Sequence, residues 1–425
     1  MRSNEKHRVL ILLIMFFISK VVVSQINKEG IGLDSLMKIE LDELIKDKQI
    51  VLIGENSHGD GFSVATRFEI VRYLHEKHNF NNITFESGLF ETNVLNEFII
   101  STDDSLEIKK MFRKTLMGVW SYSNEYKPMF QYLTSEIKKN KLNINGIDCQ
   151  INNNISATVK TKLENYLNKI NVLKNIDQKE WYNDFITILN KLILDKGRHN
   201  VKLIKKHELN YTVAIDSINY FINKYDNSSE GNLWIQILTG YKKFSSLEFH
   251  FSILKILFNF SKTSLRDSIM SENINWKYNL DSTKTIIWAH SAHILRFNPA
   301  IPKYKSITYY LKKYKLATLV IHTSAGTGDA APPFVLNDKL KILPPKRNSY
   351  ERKILENTKG IQLLSVEKLK SYSDKIGNNL RITNYKSFVV KNPKDCFDAL
   401  LFFPIMKSAT MIDGGWEEIF ENIKK

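Results

Sequence analysis

Ile50-Val51-Leu52-Ile53-Gly54-Glu55-Asn56-Ser57-His58-Gly59 decides how this chain is read. Four consecutive apolar residues read as a buried strand, and a helix-period segment follows from about Phe62 to His78. Between them a Glu and a His, three residues apart among glycines, occupy the carboxyl end of the strand. Open α/β sheets hold their chemistry there. Working outward, Ile83–Phe85 and Leu142–Ile147 read as further short buried strands, with helical patterns between them. Strand-like runs return at Thr285–Trp288, Ala317–His322 and Ala399–Phe403. Such alternation predicts an α/β fold, a mostly parallel central sheet flanked by helices. From about Asn152 to Asn279 the chain changes character, rich in Leu, Ile, Lys, Tyr and Phe with one turn cluster at Asp226-Asn227-Ser228-Ser229. That region reads as an inserted helical cap over 152–279, interrupting a discontinuous catalytic unit formed by 25–151 and 280–425.

The chain has 425 residues, 43% hydrophobic and 25% charged, ordinary values for a globular protein. Its first residues stand apart. Arg2, Lys6 and Arg8 precede an apolar run, Val9 to Ile18, and small residues follow near Val22-Val23-Ser24-Gln25. The run is short for a membrane span, so residues 1–24 read as a secretory signal peptide and the mature protein as exported to a bacterial periplasm. Lys20 leaves a retained N-terminal anchor as the alternative. No stable membrane span is expected once the signal is removed. No Cys stands near the cleavage point, so there is no lipoprotein signal. Formal net charge is +16, and loss of residues 1–24 leaves about +13. The lysines are scattered and no nucleic-acid motif accompanies them, so no nucleic-acid partner is expected. Cys149 and Cys396 are too few for a disulfide framework and read as buried free thiols, a single disulfide being the alternative.

Three more places concentrate chemistry. On the helix after the first strand, Val64, Val71 and Leu74 form an apolar stripe on which Arg67 also falls. A buried guanidinium needs carboxylate partners, because an uncompensated cation costs several kcal/mol; snorkelling at the stripe edge is the alternative. The next strand closes with Thr84-Phe85-Glu86-Ser87-Gly88, which directs Glu86 into the same rim and would give Arg67 a partner. Glu86 at a helix N-terminus is the plainer reading. Thr285-Ile286-Ile287-Trp288 leads into Ala289-His290-Ser291-Ala292-His293, where two imidazoles can enter one pocket for metal ligation, oxyanion donation or proton transfer. His75 and His78 read as helix-surface residues, and Gly326-Thr327-Gly328-Asp329 as a loop. The chain lacks a Gly-x-Ser-x-Gly elbow, Walker loop, Rossmann fingerprint, HExxH helix and paired CxxC.

With these residues in hand the chain resembles the erythromycin esterases, macrolide-inactivating hydrolases, from about Gly54 to Pro404. Gly54-Glu55-Asn56-Ser57-His58-Gly59 is similar to the family's Gly-Glu-x-x-His-Gly motif, Arg67 to its helical arginine and Glu86 to its glutamate after the second strand. Trp288-Ala289-His290-Ser291-Ala292-His293 is similar to its Trp-x-His-x-x-His segment. Gly146-Ile147-Asp148-Cys149-Gln150, Arg266-Asp267-Ser268-Ile269-Met270 and Asp398-Ala399-Leu400-Leu401-Phe402 resemble further blocks. The resemblance implies that His58 activates a water on a macrolactone carbonyl, and that Glu55, Arg67, Glu86, His290 and His293 build the same pocket. It implies no metal and no other cofactor. Arg266 is a candidate substrate-binding residue, and Trp120, Tyr122, Tyr126 and Trp181 are candidates for an apolar wall around the macrolide. Three rivals share these residues. They are an esterase of another envelope or natural-product ester, a metal site built on His58, His290, His293 and a carboxylate, and a non-catalytic envelope-polymer assembly or binding protein.

Overall fold

Residues 33–149, 153–173, 179–194, 201–248, 260–331, 339–372 and 378–412 are described by a computed structural model. The expected signal peptide lies outside these residues. Each apolar run noted above becomes a strand: β1 (Ile50–Glu55), β2 (Phe80–Gly88), β3 (Asn143–Asp148), β4 (Lys284–His290) and β5 (Thr318–Ala330). They are joined by β6 (Leu340–Ile342), β7 (Gln362–Ser365) and, after a separate hairpin of β8 (Asn378–Arg381) with β9 (Ser387–Val390), by β10 (Ala399–Met406). The main sheet runs β3-β2-β4-β1-β5-β10-β7, with β6 beside β5. All pairings from β3 across to β10 are parallel, and β7 and β6 are antiparallel additions. β5 continues through Gly326-Thr327-Gly328-Asp329, so that segment is strand and not loop.

Continuous apolar strands belong in a sheet covered on both faces, because alternate side chains point to opposite sides. Val51 and Ile53 join one core with helices α1 (Ser35–Leu44), α2 (Gly61–His78), α3 (Leu89–Ser101), α4 (Ser105–Thr115) and α5 (Lys127–Lys138). Ile50 and Leu52 face a second core on the other side. β3 is an edge strand whose open backbone is met by a side chain: Asn96 accepts from Ile144 N at 3.1 Å and donates to Ile144 O. This blunts an edge that could otherwise pair with another chain.

Among the described residues between β3 and β4 lie helices α6 (Asn153–Lys169), α7 (Lys179–Leu194), α8 (Val201–Tyr225) and α9 (Ser229–Glu248). Their apolar faces close on one another and on Leu89, Phe90 and Val94 of α3, a core of their own. The last helix of this stretch, α10 (Phe260–Asp281), behaves differently from the insertion with which the sequence grouped it. Its Met270 and Ile274 pack on the sheet face with Ile287 and Ala289. No helix among the described residues is long and apolar enough to cross a membrane.

Candidate active site

Parallel register brings the site together. Glu55 lies level with His290 across β1 and β4, and Phe85 level with Trp288 across β2 and β4. The carboxyl ends of three adjacent strands therefore present Glu55, His290 and Glu86 side by side, with His58 on the turn that follows β1.

Glu55 is fully buried and accepts four hydrogen bonds. Its Oε1 faces His58 Nδ1 at 2.6 Å and Trp120 Nε1 at 2.9 Å; its Oε2 faces Arg67 Nη1 at 2.8 Å and the Tyr126 hydroxyl at 3.4 Å. Burial pushes this carboxyl up, but Arg67 and His58 outweigh it and bring the pKa to about 2. An ionised Glu55 places the proton of a neutral His58 on Nδ1. Nε2 then carries the lone pair, and no partner for it occurs among the described residues. Burial would lower the pKa of His58, yet Glu55 and Glu86 raise it above 6.5 against the opposing charge of His293. The His58 side chain keeps 10% of its surface open. An oriented imidazole with one free nitrogen at a water-accessible edge has the geometry of a general base.

Arg67 is wholly buried, its guanidinium 4.0 Å from the Trp288 ring centre, so it does not snorkel. It pairs with Glu55 and not, as expected, with Glu86. Trp120 and Tyr126 are fully buried under that pair, and Tyr122 is buried too with Arg113 above its ring. Trp120 and Tyr126 therefore floor the site from inside, bonded to Glu55, where an apolar wall was expected, and Tyr122 packs against Arg113. The side chain of Trp181 lies outside the described residues.

Glu86 belongs to a second cluster. Its Oε2 accepts from the backbone N–H of His290 at 3.0 Å, and its Oε1 lies 3.2 Å from both Arg266 Nη2 and His293 Nε2. Burial opposes ionisation, but His293 and Arg266 hold its carboxyl well below the usual range. Arg266 is gripped by Asp148, with Nε at 3.1 Å and Nη2 at 2.5 Å. His293 Nδ1 meets Asp267 Oδ1 at 2.7 Å. Burial would lower the pKa of His293, but Asp267 and Glu86 lift it to about 10, so it is a cation at neutral pH. His290 is its opposite. Nδ1 accepts from Ala292 N at 3.1 Å, which leaves Nε2–H to donate to Asn56 O at 3.0 Å. Burial and the His58 charge press its pKa down to about 3.

All six expected site residues and Arg266 thus meet in two linked clusters. Sequence reasoning did not assign Asn56, Asp60, Asp148, Asp267 and Tyr304, whose hydroxyl lies 3.0 Å from His293 Nδ1. Asp148 carried the same signal as Glu55 and Glu86, an acid closing a buried strand. Asp267 stood beside Arg266 in a block that resembles the family, whereas Tyr304 had no signal, since an irregular segment gives no periodic cue. Among the described residues no group of three or more His, Cys, Asp or Glu side chains is arranged to hold a metal ion. Both nitrogens of His290 are already committed, so it does not suit the metal-ligand role considered for it. Cys149 and Cys396 are buried free thiols. A cavity of about 680 Å³, lined by Phe90, Tyr166, Trp234 and Trp276 among others, does not include the site residues in its walls.

Fold and site define an open α/β protein with a buried carboxylate–imidazole pair at the carboxyl rim of a parallel sheet. The sequence profile described as erythromycin esterase matches residues 75–406, and the chain belongs to that family. Glu55, His58 and Arg67 precede the matched span. The chain is 25% identical over 285 residues to a putative hydrolase, YbfO, of Bacillus subtilis, a match covering 62% of this chain and 60% of that protein. It is 23% identical over 278 residues to erythromycin esterase type II of Escherichia coli, covering 60% of this chain and 62% of the relative. The matches therefore span about 60% of these relatives' length. A solved erythromycin esterase variant in its open conformation superposes with a TM-score of 0.68 at 19% identity, covering 89% of this chain and 96% of the other. That likeness speaks to the fold.

Proposed function

We propose that this protein hydrolyses the lactone ester of erythromycin-type macrolides with a water activated by His58, and thereby confers macrolide resistance. The observation that carries the proposal is the His58–Glu55 pair with Nε2 free. Family membership supports the choice of an ester as the substrate class.

In this mechanism neutral His58 takes a proton from water at Nε2 while Glu55 holds Nδ1–H. The water oxygen bonds to the lactone carbonyl carbon, and the carbonyl π electrons move to oxygen. Arg266 supplies the donor for that oxyanion. Its Nε and Nη2 face carboxylates, whereas Nη1 faces His293 Nε2 at 3.5 Å, itself a donor when His293 is charged. Collapse of the intermediate breaks the ring C–O bond, and His58 returns the proton from Nε2 to the leaving alkoxide. His293 acts as a fixed cation, both its N–H groups being given to Glu86 and Asp267. His290 stays neutral and acts through Asn56 as a brace.

Incubating the purified protein with erythromycin and recording mass spectra tests the reading. The expected product is heavier by one water; intact erythromycin after incubation with folded protein removes the macrolide assignment. Loss of His58 to Asn should cost about 10²–10⁴-fold in kcat, the usual share of general-base catalysis. Export belongs to the same reading, and a mature chain beginning at Gln25 is its check.

A further inference from the structure

The turn that carries His58 leaves regular structure at Glu55, yet Asn56 and Ser57 are fully buried. Their backbone N–H groups would be destabilising if left buried without partners. A single oxygen takes both. Asp60 Oδ2 accepts from Asn56 N at 3.0 Å and from Ser57 N at 3.0 Å.

Asp60 is also the residue that opens α2, where an aspartate ordinarily caps its own helix. Here it makes no such bond, and its side chain is turned backward into the turn. The helix thus forgoes a common stabilisation while the turn gains a brace. That brace reaches both imidazoles. Among the described residues the His58 side chain has one hydrogen-bond partner, Glu55, so its place depends on the backbone that bears it. His290 donates from Nε2 to the carbonyl of Asn56, the residue Asp60 holds.

We propose that Asp60 is a positioning residue, whose carboxylate oxygen fixes the Asn56–Ser57 backbone and through it the imidazoles of His58 and His290. The proposal deepens the hydrolase reading and rests on His58 as its working base. Groups facing this region from neighbouring elements are Arg67 and Glu55, which act on Asp60 electrostatically, and the Tyr385 hydroxyl.

Three variants separate positioning from helix capping. Asp60→Asn keeps an oxygen of equal reach. Asp60→Ser offers a capping hydroxyl one bond shorter. Asp60→Ala removes both. The readouts are erythromycin hydrolysis and the NMR titration of the His58 imidazole in the full chain. Expected for Ala and Ser are a kcat about 10- to 100-fold down with KM nearly unchanged, the order that slight misplacement of a reacting group costs. Their His58 titration should move downward toward the ordinary value as the Glu55 contact loosens. Asn should restore rate and titration together. Rescue by Ser equal to that by Asn would overturn the proposal in favour of simple capping, as would an Asn variant no better than Ala, or wild-type values throughout. If Ala fails to fold, the comparison of Asn with Ser decides. If the unaltered protein leaves erythromycin intact, the hydrolase reading fails by itself, and the His58 titration still decides the role of Asp60.

Discussion

Glu55 gathers four donors while His58 leans on one partner, and this imbalance sets the direction of the pH dependence. His58 works as a neutral base, and its pKa is raised by Glu55 and Glu86 over the opposing effect of burial. The rate should therefore climb with pH through a midpoint above 6.5 and level off beyond it. Replacing Glu55 by Gln removes the charge that raises the midpoint, so kcat/KM measured against pH should show its limb displaced to lower pH with a lower plateau. A limb that stays in place would mean Glu55 does not govern His58. Arg67 makes a different demand. Its replacement by Met leaves an ionised Glu55 with one cation fewer in the core, and breaking a buried pair from one side costs about 3–5 kcal/mol. Urea unfolding should show that loss, and the double variant with Glu55→Gln should recover part of it; equal losses in both would dissociate the two residues.

At the scale of elements, the turn after β1 is clamped by segments distant in sequence. Asn384 and Tyr385, between β8 and β9, have φ of 49° and 56°, a left-handed pair that favours glycine or asparagine. The two residues reach Asn56 directly: Asn384 N donates to Asn56 O at 2.9 Å and Tyr385 N to Asn56 Oδ1 at 2.8 Å. Gly59 is pressed against Ala331, where an added Cβ would lie 2.4 Å from both the carbonyl oxygen and the methyl group. Gly59→Ala must displace backbone, so it should cost about 1–3 kcal/mol and lower kcat more than thermal stability alone explains. A calorimetric melt beside a rate measurement checks this, and unchanged values in both would refute the clamp. These contacts mark what the sequence could and could not disclose. Strand cores such as Ile50–Ile53 were legible because burial on two faces demands an unbroken apolar run. Acids closing those strands were legible for the same reason. Glu86 was placed at the rim but given to Arg67 in error, because pairing among buried charges depends on which helix lies overhead. Asn384 and Tyr385 come from a hairpin turn whose local sequence carries no trace of the site.

For the whole molecule, the site's buried charges tie folding stability to pH from both sides. Glu55 at about 2, the lowered Glu86 and His290 at about 3 bind protons less readily folded than unfolded, so their contribution is lost as pH falls. Asp60, pushed up to about 7 by burial, works the other way and loses stability as pH rises from the ordinary carboxylate range. His293 shapes the alkaline side. Its folded pKa of about 10 stands above the ordinary 6.5, so its stabilisation is complete below 6.5 and disappears as pH rises through 10. His58 contributes with the same sign. Replacing His293 by Gln should therefore lower the melting temperature most near pH 6.5, and the gap from the unaltered protein should narrow steadily toward pH 10. Comparing the two proteins at each pH cancels the tyrosines and lysines that titrate in both. Glu86 keeps Arg266 in the variant, which limits the damage to the loss of one cation between two acids. A gap of constant size across that range would mean that His293 is held by shape and not by charge, and the fixed-cation role would go with it.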